Sequence, residues 1–118
     1  MRDHTKLRAF ELADALTLAI YKATQHFPRE KLFGLTSQLR RAAVSIASNI
    51  VEGCARNSET EYLRFLDMAY ASAREVEYQI SLAARVGYLP PERIAALTEQ
   101  AIETSKVVGG LIRSLHRD

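Results

Sequence analysis

A polar stripe along one helical stretch constrains this chain more than any other feature. Placed on a helix of about 3.6 residues per turn, residues 38–53 sort into distinct faces. Leu35, Leu39, Ala42, Ala43, Ile46 and Ile50 share an apolar arc of roughly 100°. Gln38, Arg41, Ser45, Asn49 and Glu52 share another arc of roughly 80°, with Ser48 at its edge. A solvated face usually carries long, interchangeable charged residues. This stripe mixes short hydroxyl and amide groups with one residue of each charge. Short polar side chains let another helix approach and still offer hydrogen bonds. The remaining flank, Val44, Ala47 and Val51, is apolar again. The pattern therefore describes a central helix with neighbours on most sides, some of them from other subunits. The alternative is a surface helix that merely uses serine.

The rest of the chain supplies neighbours. A first helix is expected from about residue 5, capped by Thr5, to residue 25 or 26. Leu12, Leu16, Ala19, Ile20 and Ala23 form its main apolar face; Leu7, Phe10, Leu18 and Tyr21 form a second strip. Phe27-Pro28 stops it, because proline disfavours helical geometry in the residue before it. Thr36 is the expected cap of the second helix, which stops at Gly53. Ser58 and Glu61 read as a capping box for a third helix ending near Val86. Tyr62, Phe65, Leu66, Ala69, Ala73, Val76, Ile80, Ala83 and Ala84 hold one of its faces. Gly87 ends it. Pro91 opens a fourth helix, along which Ile94, Leu97, Ala101, Thr104, Val108, Leu111 and Leu115 recur in alternating steps of three and four. Gly109-Gly110 interrupts that seam, at a cost of about 1 kcal/mol per glycine relative to alanine. Either close packing of another backbone or fraying near the end accounts for it. Four helices with short connections and no strand pattern predict an all-α, antiparallel, up-down-up-down four-helix bundle in a single domain over residues 1–118.

Composition excludes several function classes. With 47% hydrophobic and 25% charged residues, the chain can bury a core of its own. No apolar run approaches the roughly 18 residues of a membrane span. The first six residues lack the apolar run of a signal peptide. Cys54 is the lone cysteine, so no intrachain disulfide can form, and a cytoplasmic setting is expected. His4, His26 and His116 lack the Glu-x-x-His pairs of a di-iron bundle. They also lack an arginine at the spacing helical ribonucleases use. No phosphate loop or serine nucleophile motif occurs. The expectation is a non-enzyme with no cofactor, no metal and no small-molecule substrate. Glu75 and Glu77 are expected to pair with Arg40 or Arg41 as structural ion pairs.

The net charge of +2, from 16 basic and 14 acidic residues, is too small to argue nucleic-acid binding by itself. Twelve of the basic residues are arginine. That bias suits phosphate contacts or interface ion pairs. In an antiparallel bundle one pole gathers Arg2, Lys6, Arg8, Arg56, Arg64, Arg113 and Arg117. The same pole holds Asp3, Glu11, Glu52, Glu59, Glu61 and Asp118, and no aromatic cluster is expected there. Repetition around a ring would multiply its weak contacts.

The run over residues 34–53, with Arg40-Arg41-Ala42-Ala43-Val44-Ser45-Ile46 at its heart, resembles the four-helix bundle proteins related to the 23S rRNA intervening-sequence protein. The resemblance continues through Arg56 and Ser58, through Ser72-Ala73-Arg74-Glu75-Val76-Glu77-Tyr78-Gln79-Ile80, and into Gly87-Tyr88-Leu89. It implies a small cytoplasmic bacterial protein and a ring-shaped homopentamer. Relatives that serve diversity-generating retroelements bind nucleic acid and a reverse transcriptase, so RNA or DNA and such an enzyme are the implied partners. Most members have no established activity. The runner-up reading is a protein-interaction adaptor that binds no nucleic acid. Ala47 stands where many members carry proline, which implies a straighter helix here. Phe10 stands where tryptophan or tyrosine is common.

Overall fold

The computed structural model describes residues 2–116, with backbone alone at 31–33. Four helices form: α1 (Arg8–Thr24), α2 (Ser37–Cys54), α3 (Glu59–Arg85) and α4 (Pro91–Leu115). No strand occurs among the described residues. Each helix packs on the next in the chain, and α1 also packs on α4. The fold is therefore all-α around one core.

The chain begins α1 differently from the expectation. Thr5 does not cap it: Leu7 holds the N-cap position of α1 with no side-chain bond, and Asp3 caps a short turn ahead of it. Its carboxylate accepts from the Thr5 backbone N–H at 3.0 Å and from the Thr5 hydroxyl at 2.6 Å. These bonds close a 3-10 turn, His4–Lys6, and α1 starts only at Arg8. They also hold the Asp3 carboxyl below its ordinary value. A carboxylate wins over a hydroxyl because its charge also suits the free N–H groups there. Thr36 is no cap either. It has helical angles and makes no side-chain cap bond: the segment Leu32–Thr36 kinks at Gly34 (φ −107°, ψ −116°), and its end continues into α2. α2 is continuous through Ala47.

The third helix starts and stops by sequence-encoded devices. The Ser58 hydroxyl accepts from the Glu61 N–H at 3.1 Å. Glu61 does not return the bond expected of a capping box; its carboxylate takes both arms of Arg64 instead, at 3.1 and 3.0 Å. At the far end Gly87 adopts φ 83°. Tyr88 N–H then reaches the Ala83 carbonyl at 2.9 Å and Gly87 N–H the Ala84 carbonyl at 3.2 Å. This is the paired-bond helix stop that a left-handed glycine permits.

Small residues let the helices close on one another. Ala13, Ala43, Ala69, Ala73, Ala83 and Ala101 are fully buried among Leu16, Ile20, Leu39, Ile46, Ile50, Leu66, Val76 and Val108. Thr17 spends its hydroxyl on the α1–α2 seam, within 2.8 Å of the Ala13 carbonyl and 3.1 Å of the Ala43 carbonyl. Gly53 sits where α2 meets α3: a Cβ there would lie 2.9 Å from the Phe65 Cβ. The Gly109-Gly110 pair divides. A Cβ on Gly109 would lie 3.2 Å from the Tyr70 ring, whereas one on Gly110 would meet nothing closer than the flexible Arg113 tip at 3.8 Å.

Opposite effects follow from two identical substitutions. Gly53→Ala should destabilise by about 1–3 kcal/mol, because the Phe65 Cβ cannot yield without moving α3. Gly110→Ala should stabilise by about 1 kcal/mol through helix propensity. Urea denaturation of the two variants checks both signs.

Candidate nucleic-acid interface

Local structure brings several chain segments to one end of the molecule. The Arg2 N–H donates to the Cys54 carbonyl at 2.8 Å, which ties the N-terminal segment to the end of α2. Gly53 puts the end of α2 against the start of α3. Tyr62 and Phe65 lie there, on the buried face of α3, with 1% and 5% of their surface exposed.

Three of the arginines that the sequence assigns to this pole cover those two rings. The Arg2 guanidinium lies 3.9 Å from the Tyr62 ring centroid. Those of Arg56 and Arg64 lie 4.8 and 4.7 Å from that of Phe65. A cation over a ring face is attracted by the ring quadrupole. The rings thus hold three otherwise flexible side chains; both rings stand at this pole beneath the guanidinium groups, buried away from solvent. In sequence Tyr62 and Phe65 read only as core positions, since seam residues carry no mark of what covers their outer edge.

Charge at this end is partly neutralised. Arg2 lies 3.8 Å from Glu59, and Arg64 is held by Glu61. The Arg64 guanidinium in turn holds the Glu61 carboxyl below its ordinary value. Arg56 forms no ion pair among the described residues, and neither does Lys6, which is exposed. Arg113 is exposed and bends back over the bare backbone of its own helix; its Nη1 would lie 3.4 Å from a Cβ on Gly109. Arg8 leaves the cluster: it reaches across to α4 and pairs with Glu103 at 3.1 Å. Arg117 and Asp118 lie outside the described residues.

Behind the arginines stand Cys54 and Tyr62. Burial pushes the Cys54 thiol up, away from the thiolate that a nucleophile needs. Burial, with a smaller contribution from Cys54, pushes the Tyr62 phenol up to about 12.

The polar stripe of α2 faces α3. The Ser45 and Ser72 hydroxyls meet at 2.9 Å. The Asn49 amide donates to the Ser45 carbonyl at 2.8 Å and to its hydroxyl at 3.0 Å. Above them Gln38, Arg41, Ser45, Ser72 and Glu75 line a groove of about 440 Å³. Ser48 is half-buried, and Arg41 and Glu52 are exposed. The acidic residues do not take the arginines expected for them. Glu75 accepts from Gln79 at 3.2 Å. Glu77 accepts from Ser105 and pairs with Arg74 at 3.4 Å. Arg40 faces α1, where its Nε donates to the Thr24 hydroxyl at 2.8 Å and its guanidinium covers Tyr21. No cluster of metal-ligating side chains and no helix long and apolar enough to cross a membrane occurs among the described residues.

Residues 5–110 match the model of the 23S rRNA-intervening sequence protein family. The chain belongs to that family. A crystal structure from Bacteroides thetaiotaomicron, of a protein of unknown function from the S23 ribosomal protein family, is similar over 89% of this chain and 95% of that one, with a TM-score of 0.80 and 23% identity. At that identity the likeness is one of fold. No curated protein matches the chain.

The buried phenol sets a pH signature. Below the ordinary tyrosine value of 10.0 both folded and unfolded chains keep the Tyr62 proton. Between that value and about 12 only the unfolded chain loses it, so stability should fall as pH rises through this window. A spectrophotometric titration should show one of the 5 tyrosines ionising last. Tyr62→Phe should remove that late component.

Proposed function

We propose that this member of the 23S rRNA-intervening sequence family is a non-enzymatic, homo-oligomeric scaffold that binds RNA, or nucleic acid more broadly. The observation that carries the reading is the seating of Arg2, Arg56 and Arg64 on Tyr62 and Phe65. A guanidinium over a ring face keeps N–H groups that can donate to phosphate oxygens; Arg56, with no ion pair among the described residues, offers the most, while Arg2 and Arg64 share theirs with Glu59 and Glu61. Lys6 and Arg113 extend the charge. The rings themselves are buried, so bases cannot stack on them. Contacts of this kind position a nucleic acid without reading its sequence.

The scaffold is an antiparallel up-down-up-down bundle. Supporting this, Arg40 meets Thr24 at one end of the α1–α2 pair while Arg2 meets Cys54 at the other. Along α3–α4, Ser105 faces Glu77 and Gly109 faces Tyr70. Assembly is supported by an exposed apolar strip. Leu18, Tyr21 and Val44 stand 59%, 42% and 39% exposed on the α1–α2 face. A ring of five rests on the family resemblance, as does a cytoplasmic location. Repetition around the ring raises the avidity of a weakly basic end.

Light scattering at micromolar concentration should give a mass several times 13.2 kDa; a stable monomer overturns the assembly. Binding to a structured ribosomal RNA fragment should weaken steeply with salt through loss of counterion release. Changing Arg56, Arg113 and Arg117 to glutamine should remove most of the affinity and lower the salt slope by about 0.7–0.9 for each phosphate no longer neutralised. If the assembled variant binds as the parent does, or the parent binds nothing at low salt, the same apolar strip supports a protein-interaction adaptor instead.

A further inference from the structure

At the other end of the molecule, where α1 hands over to α2, lies an open cavity of about 150 Å³. That is several times the ~30 Å³ one water occupies in the liquid. Thr24, Gln25, Arg29, Thr36 and Arg40 supply its polar groups, and no carboxylate stands among the described residues that line it. Thr36 is 2% exposed, yet its hydroxyl has no hydrogen-bond partner. A buried hydroxyl without a partner is costly and uncommon. Arg40 is held twice, by its Nε on the Thr24 hydroxyl and by its guanidinium carbon 4.8 Å from the Tyr21 ring centroid. Neither arm of its guanidinium, and no part of that of Arg29, is spent on an ion pair among the described residues.

We propose that this cavity binds a phosphate group, with Arg40 and Arg29 on its oxygens and the Thr36 hydroxyl donating to a further one. The donor count selects the ligand. One guanidinium fork already satisfies a carboxylate, whereas two guanidiniums and a hydroxyl match the several oxygens of a tetrahedral phosphate. Water alone would satisfy Thr36 but would leave the half-buried Arg40 without a counter-charge. The phosphate is either the free ion or part of a nucleic-acid backbone; the chemistry of recognition is the same. The site stands apart from Arg2, Arg56 and Arg64, so it does not depend on the nucleic-acid reading of that end.

Calorimetric titration of the full chain with inorganic phosphate, against chloride at matched ionic strength, tests the site. Saturable binding is expected with phosphate and none with chloride. Arg40→Gln should weaken it about tenfold or more, the worth of a charge-assisted bond. Arg29 is exposed, so Arg29→Gln should weaken binding while leaving the melting temperature unchanged. Thr36→Val should also weaken binding and, without phosphate, should melt no lower than the parent. The Arg56→Gln, Arg113→Gln variant should bind phosphate as the parent does. An RNA without terminal phosphates that competes with the ion identifies the backbone as the source; one that does not compete identifies the free ion. Absence of saturable binding, equal heats with chloride, or unchanged affinity in both arginine variants would overturn the proposal and leave a cavity that holds water only.

Discussion

The close approach of α2 to α3 is the contact on which the rest of the molecule depends. Gly53 has no room for a methyl group against Phe65, and Ser45 touches Ser72 through one hydrogen bond. Two helices this near must present small or short polar residues to each other, since larger ones would hold the axes apart. The consequence reaches the surface. Phe65 is fixed by the end of α2, and Phe65 in turn seats both Arg56, just beyond α2, and Arg64, on α3. Core packing thus decides where the guanidinium groups stand.

Two kinds of interaction compete for those arginines. Exposed ion pairs such as Arg64–Glu61 add little to stability, because solvent screens them, and a cation over a ring at an exposed site adds only modestly more. Neither decides stability. Together they restrict the side chains, so less rotamer freedom is lost when an anion binds. Glu59 and Glu61 offset part of the charge of Arg2 and Arg64, which leaves Arg56, Lys6 and Arg113 as the groups whose charge is least compensated.

Helix number, order and the buried seams were legible in the sequence because periodic apolar residues report them directly. Ile94, Leu97, Ala101, Thr104, Val108, Leu111 and Leu115 all turn inward or pack on the core. The caps were less legible. Thr5 and Thr36 have the right chemistry, but capping needs an extended backbone at the residue, and local turns at His4–Lys6 and Leu32–Thr36 set that backbone instead. The basic pole was partly legible. Chain order placed Arg2, Arg56 and Arg64 together, whereas Arg8 went to Glu103 because a long side chain at the first helical position can reach sideways to a neighbouring helix. The rings beneath the arginines were hidden by their own burial. Nothing in a periodic pattern distinguishes a ring under apolar atoms from a ring under a guanidinium.

The polar stripe of α2 carries a different weight from the one its pattern suggests. A short polar residue at 45 implies a neighbouring helix, and α3 of the same chain is that neighbour through Ser72, while Asn49 bonds back to Ser45 within α2. Ser45 therefore needs no second subunit to explain it. The argument for assembly moves to α1. Of its second apolar strip, Leu7 and Phe10 pack onto the core, whereas Leu18 and Tyr21 remain outside. Val44 joins them from α2, one turn beyond Arg40, whose guanidinium already covers Tyr21. Burying such a strip returns about 25 cal/mol per Å². A contact between unlike faces of identical chains closes into a ring when its rotation divides a full turn. The exposed Tyr78 of α3 and Ile102 of α4 stand on the other helix pair, so exposed apolar residues are not confined to the α1–α2 face.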